Sequence, residues 1–217
     1  MSRESAALAS QAEPSPYAQP ETRRAALTLA IWVFLGSETM LFAGLFALYT
    51  GYRALYGADF AHAAAFNEEW IGSLNTFVLI SSSFFAAWAL HAVRAGRRVM
   101  ALASLCAVIA LGLCFLGLKS LEYYDHLSRG IAPGQFYTFT RLPQHGARLF
   151  FTLYYFMTGL HALHVIVGLS IMAWLLHRVH RKRTTRERHV ELELGALYWH
   201  LVDIVWIFLW PLLYLIR

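Results

Sequence analysis

The sequence predicts an all-α, polytopic membrane protein with five transmembrane helices in a bundle. Three observations carry this. Of 217 residues, 58% are hydrophobic and 14% charged, and the mean hydropathy is +0.47. Ordinary soluble domains carry about 25% charged residues. The apolar residues fall into five long runs, and the basic residues gather in alternate connections between them. A disordered chain, a disulfide-stapled secreted domain and a coiled coil are excluded by this composition.

Residues 1–22 are rich in Ala, Ser, Pro, Gln and Glu and lack the apolar core of a signal peptide, so they read as a disordered polar arm. Arg23 and Arg24 open a five-helix domain over residues 23–217. Its spans are expected at 26–52, 70–93, 98–122, 147–177 and 195–216, the first interrupted by Gly36, Ser37 and Glu38. Each suffices to cross an apolar layer about 30 Å thick at about 1.5 Å per residue. Residues 53–69, with aromatics and acids, suit a short surface helix. Residues 123–146 hold Gly130, Pro133, Gly134, Pro143 and Gly146 and read as an irregular cap. Cys106 and Cys114 share one apolar run about 12 Å apart along a helix, too far to bridge, and act as small apolar residues.

The basic residues set the topology. Arg3, Arg23, Arg24, Arg94, Arg97, Arg98, Arg178, Arg181, Lys182, Arg183, Arg186 and Arg188 are twelve of the eighteen and fall on one side. Arg53, Lys119, Arg129, Arg141, Arg148 and Arg217 fall on the other. The positive-inside rule then places the N-terminus in the cytoplasm and the C-terminus in the periplasm. It also accounts for the pI of 9.4 through membrane orientation, with some anionic-lipid contact, and without nucleic acid.

Ionisable groups at membrane depth are costly and have a partner or a job. Glu38 stands mid-way in the first span, Asn75 marks the second with Ser81, Ser82 and Ser83, and Glu122 ends the third. His161 and His164 sit one turn apart in the fourth. In the fifth, Glu193, His200 and Asp203 lie within about 80° of one another at about 100° per residue, on one face. Three readings stay open: a metal site, a proton or ion path through Glu38 and Asp203, or hydrogen bonding that fixes helix packing and lipid contact. No repeated Glu-x-x-His pair supports a di-iron bundle. Packing is the reading these residues favour. Glu38 has no basic residue nearby in its own span, so an apolar surround favours its protonated form, donating to a neighbouring helix.

Five strings then add a resemblance. Gly36-Ser37-Glu38-Thr39-Met40-Leu41-Phe42-Ala43-Gly44 resembles the first shared motif of subunit III of the haem–copper oxidases. Leu74-Asn75-Thr76 with Ser81-Ser82-Ser83 resembles its next helix, and Leu121-Glu122-Tyr123 with Gly130-Ile131 the end of the one after. Phe150-Phe151-Thr152 and the run Thr158-Gly159-Leu160-His161-Ala162-Leu163-His164-Val165-Ile166-Val167-Gly168 resemble its most diagnostic stretch. Tyr198-Trp199-His200-Leu201-Val202-Asp203-Ile204-Val205-Trp206 resembles its C-terminal signature, with Glu193 where the family has a carboxylate. The resemblance covers about residues 26–217.

It implies an accessory subunit of an aerobic respiratory oxidase that reduces oxygen to water and pumps protons. Such a subunit has no catalytic residue, metal ligand or cofactor of its own; haems and copper belong to partner subunits. Its implied work is to stabilise the catalytic subunit I, support proton uptake and hold phospholipid in a cleft. Subunit II, small subunits and a respiratory supercomplex are the further partners. On this resemblance Glu38, Asp203 and Glu193 are proton-linked carboxylates. His161, His164, His200, Asn75 and Glu122 are packing or lipid-contact groups, and Arg53, Lys119 and Arg148 are candidates for lipid phosphate. The absence of two helices that longer members carry before Glu38 points to the short five-helix form of a bacterial inner membrane. The Tyr-Trp-His-x-Val-Asp ending favours a cytochrome c oxidase over a nitric oxide reductase-associated homologue. A quinol oxidase subunit and a stand-alone proton-coupled transporter remain the alternatives.

Overall fold

The computed structural model describes residues 20–185 and 189–215. The arm over 1–19, Arg186, Arg188 and Arg217, and the side chains of Arg23 and Arg24, lie outside the described residues. The elements are α1 (Pro20–Leu55), α2 (Gly57–Ala64), α3 (Glu69–Arg94), α4 (Arg98–Ser128), α5 (His145–His180) and α6 (Val190–Trp210). A 3-10 turn, Gly134–Phe136, lies between α4 and α5, and a π turn, Pro211–Leu215, follows α6. Five helices are long and apolar enough to cross a membrane. The described residues divide between Ser37 and Glu38 into two compact units. The first holds the start of α1, and the site described below lies within the second.

The five expected spans and the short surface helix are present, with shifted ends. Helix α1 starts at Pro20, so residues 20–22 are helical and not part of the arm. It also contains Gly36, Ser37 and Glu38 without a break; one glycine costs a helix only about 1 kcal/mol. The third span does not stop at Glu122. It continues to Ser128, where Gly130 (φ 81) lets the backbone turn and the Ile131 N–H donates to His126 O at 2.9 Å. Gly96 (φ 74) closes α3 in the same way, with the Arg97 N–H donating to Ala92 O at 2.8 Å. The irregular cap is therefore shorter than expected.

The charged ends of α3 to α6 share one end of the second unit. The Arg98 guanidinium donates to Val179 O at 3.1 Å and to His180 O, adding a cationic donor to the last carbonyls of α5. Arg94 meets Glu193 at 3.3 Å and Arg178 meets Glu191 at 2.8 Å. At the opposite end, Asp59 of α2 accepts from the Gly146 N–H at the start of α5, 3.1 Å away.

Tryptophan Trp199 of α6 organises the middle. Its indole is buried, and its N–H donates to Ser82 of α3 at 2.9 Å. A Cβ at Gly112 would stand 3.0 Å from that ring, and one at Gly168 would stand 2.8 Å from it. Two glycines, on α4 and α5, thus open the slot that the indole fills. Close approach through small residues is how helices gain contact where lipid removes the hydrophobic drive to associate. Cys106 and Cys114 are free and exposed on α4.

Candidate functional site

Glu38 and His164 meet inside the bundle. Glu38 comes from α1 and His164 from α5, and Oε2 lies 2.8 Å from Nε2. Their side chains are only 18% and 13% exposed, so solvent screens the pair little. The other imidazole nitrogen, Nδ1, is 2.8 Å from Leu160 O. A carbonyl can only accept, so Nδ1 carries a hydrogen. Nε2 and Oε2 then need one proton between them, held as carboxylic acid and imidazole or as carboxylate and imidazolium. In either form the pair stores a single proton. Phe42 packs edge-on against the ring at 5.3 Å, and the Tyr198 hydroxyl of α6 donates to His164 O at 3.1 Å. Both contacts hold the imidazole's helix in place.

A second cluster is built on α4. Lys119 and Glu122, one turn apart, make an ion pair at 3.0 Å, and both are buried. The ammonium also donates to the Tyr154 hydroxyl at 3.0 Å and the Tyr214 hydroxyl at 2.8 Å. Those phenols in turn donate to Glu122 Oε1, at 2.8 and 2.6 Å. Each hydroxyl accepts from the cation and donates to the anion, a closed ring of charge-assisted bonds. The rings of Tyr123, Tyr154, Trp206 and Tyr214 stand around Nζ at 4.8–5.5 Å. Lys119 thus lies inside the bundle with its donors taken and shows no face to a phosphate, contrary to the sequence expectation.

Asp203 and His200 of α6 approach α3. Ser83 Oγ lies 2.5 Å from His200 Nδ1 and stands beside the Asp203 carboxyl. Glu193 does not join them: it faces Arg94 and, at 4.0 Å, His189. Sharing a face along a helix does not bring side chains together two turns apart. Among the described residues, no group of three or more His, Cys, Asp or Glu side chains is placed to hold a metal ion.

Comparison with known proteins bears on these same residues. The family described as cytochrome c oxidase subunit III matches residues 18–216. The chain belongs to the cytochrome c oxidase subunit III family. Cytochrome c oxidase subunit 3 of Gadus morhua is 34% identical over 194 residues, 84% of this chain and 66% of that protein. The Cyprinus carpio protein of the same name is 32% identical over the same shares. That of Branchiostoma lanceolatum is 39% identical over 141 residues, 65% of this chain and 48% of that protein. The chain therefore spans about 66% of the length of the first of these relatives.

In this subunit III chain the strings that carried the resemblance supply the interior contacts. Glu38 stands in the first, Ser82 and Ser83 in the second, His164 in the fourth, and Trp199, His200 and Asp203 in the last. The sequence singled out Glu38 and His164 separately and missed their pairing across 126 residues. It also missed Tyr154, Tyr214 and the cage around Lys119. The remaining phosphate candidates lie near the end opposite Arg94, Arg98 and Arg178. Arg53 is half-buried in the last turn of α1 beside Tyr49, and Arg148 is exposed in the first turn of α5. Outside the spans, burial pushes the Tyr137 phenol up while Arg148 pulls it down.

Proposed function

We propose that the chain serves as an accessory subunit of a proton-pumping cytochrome c oxidase, without catalytic residues or redox centres of its own. Its partners are the catalytic subunit I, the copper-binding subunit II, small subunits and, at a larger scale, a respiratory supercomplex. Haems and copper reside in those partners. The observation that carries this reading is the Glu38–His164 pair, within the family match over 18–216.

A buried pair that holds one proton and is poorly screened is suited to a proton-linked role beside a proton-pumping partner. Asp203 and Glu193 join Glu38 as carboxylates of that role. His161, His200, Asn75 and Glu122 serve packing, while Arg53 and Arg148 take lipid phosphate at the end opposite the arginine-rich turns. The arginine-rich end, with Arg94, Arg97, Arg98, Arg178, Arg181, Lys182 and Arg183, faces the cytoplasm, and the C-terminal side faces the periplasm. Residence in a bacterial inner membrane belongs to the same proposal.

The experiment is purification of a tagged chain from its own membranes in mild detergent. It should bring down a complex with haem absorbance and cytochrome c oxidase activity. A chain that migrates alone, free of haem, overturns the assignment and favours a stand-alone transporter. Deleting the chain should leave initial oxygen reduction but hasten inactivation during turnover. Immediate, complete loss with subunit I normally assembled contradicts an accessory role. A complex that oxidises quinol and lacks copper in subunit II transfers the reading to a quinol oxidase.

A further inference from the structure

We propose that ordered water molecules occupy the interior of the bundle around Trp206, held by Asp203 of α6, His161 of α5 and Asn75 of α3. All three residues are buried, with relative exposures of 3%, 0% and 0%. Both side-chain polar atoms of Asn75 and of His161 lack a hydrogen-bond partner among the described residues, and the Asp203 carboxyl has only the Ser83 hydroxyl beside it. Buried polar groups in folded proteins are satisfied by protein or by ordered water, and orphans are rare. Four such atoms on two helices, with the Asp203 carboxyl on a third, give this interior more hydrogen-bonding capacity than its side chains use.

Trp206 ties the three residues together. Its indole N–H donates to Thr76 Oγ1 at 3.1 Å, next in sequence to Asn75. Its ring centroid is 5.1 Å from that of His161. Asp203 lies one turn before it on α6, on the side where the Ser83 hydroxyl stands. The group mixes an amide, an imidazole and a carboxyl, so it presents donors and acceptors together. Water matches that mixture because it donates and accepts at once. A lipid headgroup is too large to reach side chains buried this deeply, and the mixed donors and acceptors do not form a cation's ligand set. Phe115, edge-on to His161 at 5.6 Å and to Trp206 at 4.8 Å, closes the far side with an apolar ring. The water is confined between the polar trio and that wall.

This inference rests on packing and stands whether or not the chain joins an oxidase. The test is cryo-electron microscopy of the purified native assembly at a resolution that shows ordered water. Peaks are expected within about 3.2 Å of a His161 nitrogen and of the Asn75 amide. Protein side chains bonded directly to those atoms, with no peak between them, overturn the proposal. So does a headgroup in the density. Radiolytic hydroxyl labelling gives a second readout, because radicals form from bound water where it sits. Buried Trp206 should be labelled along with exposed Trp70. Trp206 without label, beside labelled Trp70, overturns the proposal even if no variant folds. Asp203→Asn should retain the peak and the label, whereas Asp203→Leu should reduce the Trp206 label to background.

Discussion

Lys119 and Glu122 stand one turn apart on α4 with 3.0 Å between ammonium and carboxylate, both closed off from solvent by Tyr154 and Tyr214. Taking either charge away leaves the other buried without compensation, and such a loss costs about 3–5 kcal/mol. Lys119→Met and Glu122→Gln should each lower the yield and melting temperature of the purified protein. The double variant Lys119→Met/Glu122→Gln should be less destabilised than the two single effects summed. Strict additivity in the thermal scan would mean that the pair is not coupled.

The Glu38–His164 pair predicts selective labelling. Hydrophobic carbodiimides attack a protonated buried carboxyl, so Glu38 should be modified and Glu38→Gln should not. His164→Leu removes the base that competes for that proton, so labelling of Glu38 should exceed that in the parent chain. Peptide mass spectrometry reads both comparisons; equal labelling of the parent chain and His164→Leu contradicts the shared proton.

The tryptophan slot predicts a glycine-specific cost. An added Cβ at Gly112 would lie 2.7 Å from Leu169 Cδ2 and 3.0 Å from the Trp199 ring. Overpacking of this kind costs about 1–3 kcal/mol, so Gly112→Ala should lower the melting temperature in detergent. Gly117→Ala on the same helix has nothing within 4 Å of the new methyl. It should be neutral or stabilising, by up to about 1 kcal/mol from helix propensity. Equal melting points for the two variants would show that the slot has room to give.

The turn after α6 is held from outside its own helix. Tyr49 donates to Leu212 O at 2.6 Å, and Asn67 Nδ2 donates to Leu213 O at 2.9 Å. Tyr49→Phe keeps the ring and removes one bond, at a cost of about 1 kcal/mol. Asn67→Leu abolishes the other and leaves a buried carbonyl unpaired, for about 1–3 kcal/mol. Hydrogen exchange across residues 211–215 should rise in both variants and rise further in Asn67→Leu. Unchanged protection would mean that α6 alone fixes the turn.

The spans and the surface helix were legible because length and hydropathy are local properties of the chain. Boundaries were less so: Glu122 looked like a membrane edge because a charge ended the apolar run. In the fold its charge is neutralised by Lys119, so the helix runs on until Gly130 supplies a backbone that can turn. Lys119 was misread for the same reason, its partners being Glu122 three residues on and two phenols 35 and 95 residues away. Glu38 and His164 were each conspicuous as polar groups at membrane depth, but a pairing across 126 residues leaves no periodic trace. Glu193 shows the converse: its face was read correctly, yet the arginine at the end of α3 lies closer than Asp203.

The ring around Lys119 also has a temporal side. Translation is vectorial, so Lys119 and Glu122 are made 32 residues before Tyr154 and 92 before Tyr214 when counted from Glu122. A nascent α4 must enter the bilayer with only its internal ion pair for company, and must keep it until α5 and the turn after α6 arrive. During that interval the half-made bundle holds a charged pair that lipid solvates poorly. The ring around Lys119 is thus complete only once Tyr154 and then Tyr214, near the end of the chain, have been made.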